Sequence, residues 1–137
     1  MITVETVYNG ELRTTSQHAL SGTQLITDAP PDNHGRGESF SPTDLLATSL
    51  GTCMLTVMGI EARKRAISID GTRIEVKKLM NVSPRLVSEV RIKIFMPAVA
   101  YSDEHKELLE RTARYCPVAL SLHPDLKQTV EFFYKDE

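Results

Sequence analysis

The stretch SPTDLLATSLGTCMLTVMGIEARKRAI, Ser41 to Ile67, decides how the rest of the chain must fold. Ser41 is a favoured N-cap, Pro42 suits the first helical position, and Asp44 can close a capping box as a shorter stand-in for Glu. No charge falls between Leu45 and Ile60. Arg63, Lys64 and Arg65 then gather in the last turns, where the helix dipole favours cations. On helical spacing Leu46, Leu50, Cys53, Met54, Val57 and Ile60 share one apolar arc. Thr48, Thr52 and Thr56, with Ser49 and Gly59 beside them, make a stripe of smaller side chains on the opposite side, interrupted by Leu45 and Leu55. The pattern predicts a central helix over 41–67, buried on most of its circumference.

A chain of 137 residues suits one domain that buries roughly two-thirds of its unfolded surface. Its hydrophobic content of 41% and charged content of 25% are those of a soluble globular protein. A net charge of −2 gives no electrostatic reason to bind nucleic acid or an anionic membrane. Trp is absent and other aromatics are few, so base-stacking platforms are not expected. The uncharged run is shorter than the ~20 residues of a membrane span and is seeded with Thr, Ser and Gly. MITVETVYNGELR holds no apolar segment of the signal-peptide kind. Two cysteines in such a chain suggest free thiols in a reducing compartment, and a cytoplasmic protein is expected.

In chain order, Ile2 to Tyr8 alternates and Asn9-Gly10 reads as a hairpin turn. Glu11 to His18 and Thr23 to Thr27 follow as strands, giving an antiparallel meander over 1–27. Residues 28–40, DAPPDNHGRGESF, show no period and form a loop, long enough to suggest function. After the helix, two strands fill 72–97, with Val90, Ile92, Ile94 and Met96 facing inward and Arg73, Glu75 and Lys77 facing water. Ser102 caps a helix over Asp103 to Tyr115, and Cys116-Pro117 opens a short one to Leu122, so helices fill 102–122. A closing strand lies within 127–135. The order implies one α+β domain over 1–137, antiparallel sheets around a buried central helix. A single chain of this size struggles to surround that helix, and a homodimer that packs two copies of it together would solve the problem.

Four residues stand out chemically. Cys53 lies on the apolar arc, where most free cysteines are merely small core residues. Cys116 falls at a helix start, where N–H groups and the dipole would lower its thiol pKa below that of Cys53. Arg36 and Glu38 lie in the loop ahead of the central helix. A buried thiolate needs a cation, and a guanidinium with a carboxylate to orient it suits the task; a solvated ion pair is the plainer alternative. The four histidines have no metal-ligand spacing, and no phosphate loop, dinucleotide fingerprint or nucleophile elbow is present. No metal or cofactor is expected.

SPTDLLATSLGTC at the start of the central helix, followed far downstream by YCPVALSL, resembles the OsmC/Ohr family, whose helix motif and later C-P-V segment occur in this order. The resemblance covers nearly the whole chain and implies the OsmC-like fold, an intertwined homodimer and a thiol-dependent reductase of organic hydroperoxides. It makes Cys53 the peroxidatic thiol and Cys116 the resolving one, with a dithiol reductant resetting the pair and no cofactor. Thr43 stands where the resemblance would place a Glu to hold the arginine. Asp44 is committed to the capping box, which leaves Glu38 for Arg36. The competing expectation is a non-catalytic member of the same fold that binds a small hydrophobic ligand.

Overall fold

Thr and Ser interleaved with Val, Tyr, Leu and Ile build the N-terminal strands of the computed structural model, which describes residues 1–135. Val4–Gly10 (β1), Arg13–His18 (β2) and Gln24–Asp28 (β3) pair antiparallel in the order β1-β2-β3. The first turn is not Asn9-Gly10, as expected, but Glu11-Leu12. Asn9 becomes the extra residue of a bulge between Tyr8 and Gly10, and Gly10 takes a φ of 85°. Glu11 and Leu12 both adopt the left-handed conformation, with φ of 56° and 62°, as a two-residue hairpin turn of this twist requires. Two hydrogen bonds hold this otherwise unfavourable backbone: the Leu12 N–H donates to Tyr8 Oη at 3.2 Å, and the Leu12 carbonyl accepts from Ala29 N at 3.1 Å.

Residues 29–40 are tethered rather than loose. A single 3-10 turn, Pro31–Asn33, sits in the segment. Gly37 N donates to Ala29 O, Asp28 N donates to Phe40 O, and Ser39 Oγ donates to Ile26 O. The helix that follows, Pro42–Lys64 (α1), starts as the sequence predicts. Ser41 Oγ accepts from Asp44 N at 3.0 Å, and Asp44 Oδ2 accepts from Ser41 N at 2.9 Å, a reciprocal capping box. The helix ends three residues before Ile67, where Ala66 turns into the left-handed region at φ 56°.

The chain divides into two compact units, 1–46 and 47–137. In the second, α1 lies against a sheet of order β4-β5-β6 built from Arg73–Asn81, Leu86–Phe95 and Lys127–Phe133. The core joins Leu50, Met54 and Met58 of the helix to Val90, Ile92 and Ile94 of the sheet. Gly51 allows the close approach: a Cβ there would stand 2.6 Å from Ile74 Cδ1 and 3.2 Å from Val76 Cγ2. This contact rotates the buried face away from the expected arc. Ala47, Gly51, Met58 and Ala62 are buried, whereas Ile60 is 52% exposed and Thr52 and Thr56 face outward. Within one chain, α1 is therefore covered on one side only.

β5 pairs antiparallel with β4 but parallel with β6, a departure from the all-antiparallel expectation. The crossover through Asp103–Arg114 (α2) and Pro117–Ser121 (α3) is long enough to return the chain in the same direction. The register explains the outer face of this sheet. Arg73, Phe95 and Phe133 fall in one row, with the guanidinium 4.3 Å above the Phe95 ring, which stacks on Phe133. Glu75, Lys93 and Glu131 form the next row, alternating in charge. By length and composition α1 could cross a membrane, but Leu50, Met54 and Met58 are wholly buried against the sheet, as in the core helix of a globular unit.

Candidate active site

Both cysteines belong to the second unit, and both are free. Cys53 sits on α1 next to Met54, at the edge of the buried face, and is half-buried. Tyr115 and Cys116 separate α2 from α3. Ser102 caps the start of α2 by accepting from His105 N at 3.1 Å. At the end of that helix Cys116 N donates to Ala113 O, and Pro117 takes the first position of α3. Cys116 is the N-cap of α3, extended at φ −67° and ψ 154°, and its Sγ accepts from Ala119 N at 3.4 Å. Its carbonyl accepts from Leu120 N at 3.1 Å. The residue is 1% exposed.

The capping position predicts a lowered thiol pKa for Cys116, and the structure gives the opposite shift. Burial pushes the Cys116 thiol above its usual range, and this outweighs the Ala119 N–H that pulls the other way. The neighbouring Cys53 thiol pushes it up further. A desolvated sulfur loses more from ionising than one helix-terminal N–H restores. Cys116 is thus a protonated, enclosed thiol in contact with a second, more accessible one.

The first unit carries the two charged candidates. Arg36 and Glu38 do face each other, but at 4.0 Å and with side chains 47% and 62% exposed. Glu38 has a nearer partner, Arg13, at 2.9 Å. Arg13 also grips Asp28 with two hydrogen bonds, Nε to Oδ1 at 2.7 Å and Nη2 to Oδ2 at 2.8 Å. Asp28 Oδ2 further accepts from Glu38 N at 3.1 Å. The Asp28 carboxylate is fully enclosed, and the hydrogen bonds from Arg13 hold its pKa below the usual carboxylate range against the cost of burial. Arg13 and Asp28 were not singled out from the sequence. Their only signal there is the β2–β3 register that sets them opposite each other, fixed by the turn over 19–23.

Among the described residues no group of three His, Cys, Asp or Glu side chains converges as a metal site. What the second unit offers is a thiol pair, and a thiol pair performs oxidation and reduction by exchanging an S–S bond for two S–H bonds.

Comparison with known proteins follows the same lines. The model of the OsmC-like protein family matches residues 35–131. No curated protein sequence matches the chain. Among solved structures, a protein of Psychrobacter arcticus named for an osmotic stress and detoxification response is 50% identical, with a TM-score of 0.94 over 97% of this chain and 96% of that one. The organic hydroperoxide resistance protein OsmC of Legionella pneumophila is similar in fold at 14% identity, with a TM-score of 0.74 over 96% of this chain and 97% of that one. So is an organic hydroperoxide resistance protein of Elizabethkingia anophelis, at 14% identity and a TM-score of 0.73 over 98% and 97%. With the family model covering most of the chain and a half-identical relative spanning nearly all of it, the chain belongs to the OsmC-like protein family.

Proposed function

We propose that the protein reduces organic hydroperoxides with its two cysteines. The thiolate of Cys53 attacks the terminal oxygen of the peroxide, the O–O bond breaks, and the alkoxide leaves, taking a proton from solvent to become the alcohol, as Cys53 becomes a sulfenic acid. The Cys116 thiol then displaces water from that sulfenic acid, forming the Cys53–Cys116 disulfide. A dithiol reductant returns both residues to thiols. The observation that carries this reading is the contact between a half-buried Cys53 and an enclosed Cys116 whose burial keeps it protonated. A peroxidatic sulfur must be reached by substrate, whereas a resolving one needs only to reach its neighbour. The apolar side chains around Cys53 favour an alkyl peroxide over hydrogen peroxide alone.

Arg36 and Glu38 belong to the same proposal as the charged residues serving the thiolate. A homodimer and a cytoplasmic setting belong to it too, the latter because free thiols persist where the medium is reducing. The test is a thiol count and intact mass after one equivalent of cumene hydroperoxide, on the wild type and on Cys116→Ser. Loss of both thiols in the wild type and a Cys53 sulfenic acid in the variant are expected. Thiols that survive excess peroxide would leave a ligand-binding member of the fold as the better reading.

A further inference from the structure

The enclosure of Cys116 decides more than which sulfur meets the peroxide. An intramolecular disulfide offers a reductant two sulfurs, and the reductant's thiolate must approach one of them along the S–S axis and expel the other. Cys116 is only 1% exposed within its own chain, so no assembly of subunits can uncover it. Its backbone is held at both ends, by Ala113 O on one side and Leu120 N on the other, with Pro117 fixing the next residue. Closing a bond to Cys53 therefore does not bring Cys116 to the surface. Cys53 is half-buried on a continuous helix, and on the peroxidase reading it is the sulfur a peroxide already reaches.

We infer that the oxidised chain is opened by its dithiol reductant at Sγ of Cys53, with Cys116 as the departing sulfur. This rests on the proposed two-cysteine chemistry, since it supposes that the disulfide forms. The electrons balance in two exchanges. One reductant thiolate bonds to Cys53 Sγ as the Cys53–Cys116 bond breaks, and Cys116 leaves with the electron pair. It leaves beside the Ala119 N–H, which faces Sγ at 3.4 Å, and takes a proton in a setting that favours the thiol. The second reductant thiol, as its thiolate, then attacks its own partner sulfur, expelling Cys53 as thiolate and leaving the reductant as a disulfide. The first departing group is a poor one, because a thiol of raised pKa leaves slowly. Access overrides that preference here. A dithiol is favoured over a single thiol because its second sulfur removes the mixed disulfide without a further encounter.

The experiment forms the disulfide with diamide, which needs no peroxidase activity, and opens it with a limited pulse of 2-mercaptoethanol. Acid quenching and peptide mass mapping then locate the mixed disulfide. An adduct on Cys53 in excess over Cys116 by about tenfold or more is expected, given that exchange depends on which sulfur is accessible. In parallel, the native Cys116→Ser and Cys53→Ser variants are labelled with N-ethylmaleimide, and the lone Cys53 is expected to react faster by a similar factor. Equal adducts, a majority on Cys116, equal labelling rates in folded variants, or no disulfide after diamide would each overturn the inference. Failure of the peroxidase reading shows separately, as thiols that resist cumene hydroperoxide while the diamide-made disulfide still opens at Cys53.

Discussion

Arg13 clamps Asp28 by two parallel hydrogen bonds, 2.7 Å and 2.8 Å long, across neighbouring strands, and the carboxylate so held is sealed from water. This pair, with Glu38 as its third member, ties the segment 29–40 to the N-terminal sheet. Its worth depends on pH in a definite direction. The Asp28 carboxyl titrates lower in the folded chain than the value of about 3.9 it has when unfolded. Its contribution is therefore complete above that pH and disappears as pH falls through the lower, folded value. Asp28→Asn should lower Tm at neutral pH, with the gap to wild type constant above about pH 5 and closing in stronger acid. Thermal melts of both proteins across pH 2.5 to 7 measure it, the span being set by the carboxylate range, roughly 2 to 5. A gap that stays open in acid would mean that packing, and not the ion pair, holds the segment.

Arg36 differs from Arg13 in a way that makes it a clean probe. Half-exposed and 4.0 Å from a carboxylate that prefers another partner, it contributes little to the fold. Arg36→Ala should change stability by no more than about 0.5 kcal/mol, the usual range for surface substitutions. Any loss of hydroperoxide turnover in that variant then reports on chemistry alone. Arg13→Ala strips Asp28 of its partner and should lower Tm clearly, so a loss of turnover there would carry no such meaning. If Arg36→Ala retains full turnover, the expected role for this residue falls while the thiol chemistry stands.

The residues whose local rules act alone were legible in the sequence. Ser41 with Asp44 and Ser102 with His105 are caps that need only their own helix, and Val90, Ile92 and Ile94 alternate because one side of their strand is core. Tertiary contact changed the rest. The arc through Leu46 and Ile60 has the right period, but Gly51 is where the sheet can approach, so the helix turns that side inward. Asn9-Gly10 is a strong hairpin signal, yet it is spent on a bulge, and the true turn relies on Tyr8 Oη and Ala29 N. Arg13 faces Asp28 through the separate β2–β3 register, which the turn over 19–23 sets. Cys116 is a cap as the sequence predicts, but the acidity inferred from the cap ignores how completely the cap residue itself is enclosed.

That burial has a consequence in alkali. The folded Cys116 thiol holds its proton at pH values where an unfolded cysteine, with a pKa of about 8.5, has lost it. Above that pH the unfolded chain binds fewer protons than the folded one, so stability falls as pH rises. The contribution is fully present below the unfolded value. Denaturant melts from pH 7 to 10 should show a decline in the wild type that is reduced in Cys116→Ser, the range bracketing the free-thiol value of about 8.5. Identical slopes in the two proteins would remove Cys116 as the cause.

Each unit, taken by itself, leaves apolar side chains uncovered. On α1, Thr52, Thr56 and Ile60 point away from the sheet that covers Met54 and Met58. In the N-terminal unit, Val4, Val7, Tyr8, Leu25 and Ile26 are all more than 40% exposed, and among its described residues only Thr27, Asp28 and Ser41 are buried. A three-stranded sheet with so little of its own core is not stable alone in water, and apolar exposure on this scale marks a surface that another molecule covers. A second copy is the occupant we propose, with the small threonines allowing two α1 helices to approach closely. Sedimentation equilibrium at micromolar concentration should give twice the 15.3 kDa chain mass. Ile60→Glu places a charge on the uncovered face without touching the core, and should shift the equilibrium toward monomer. Circular dichroism separates loss of assembly from loss of fold, since α1 should stay helical when the copies part. A wild type that sediments as a folded monomer would show that the exposed strands and helix are tolerated in water as they stand.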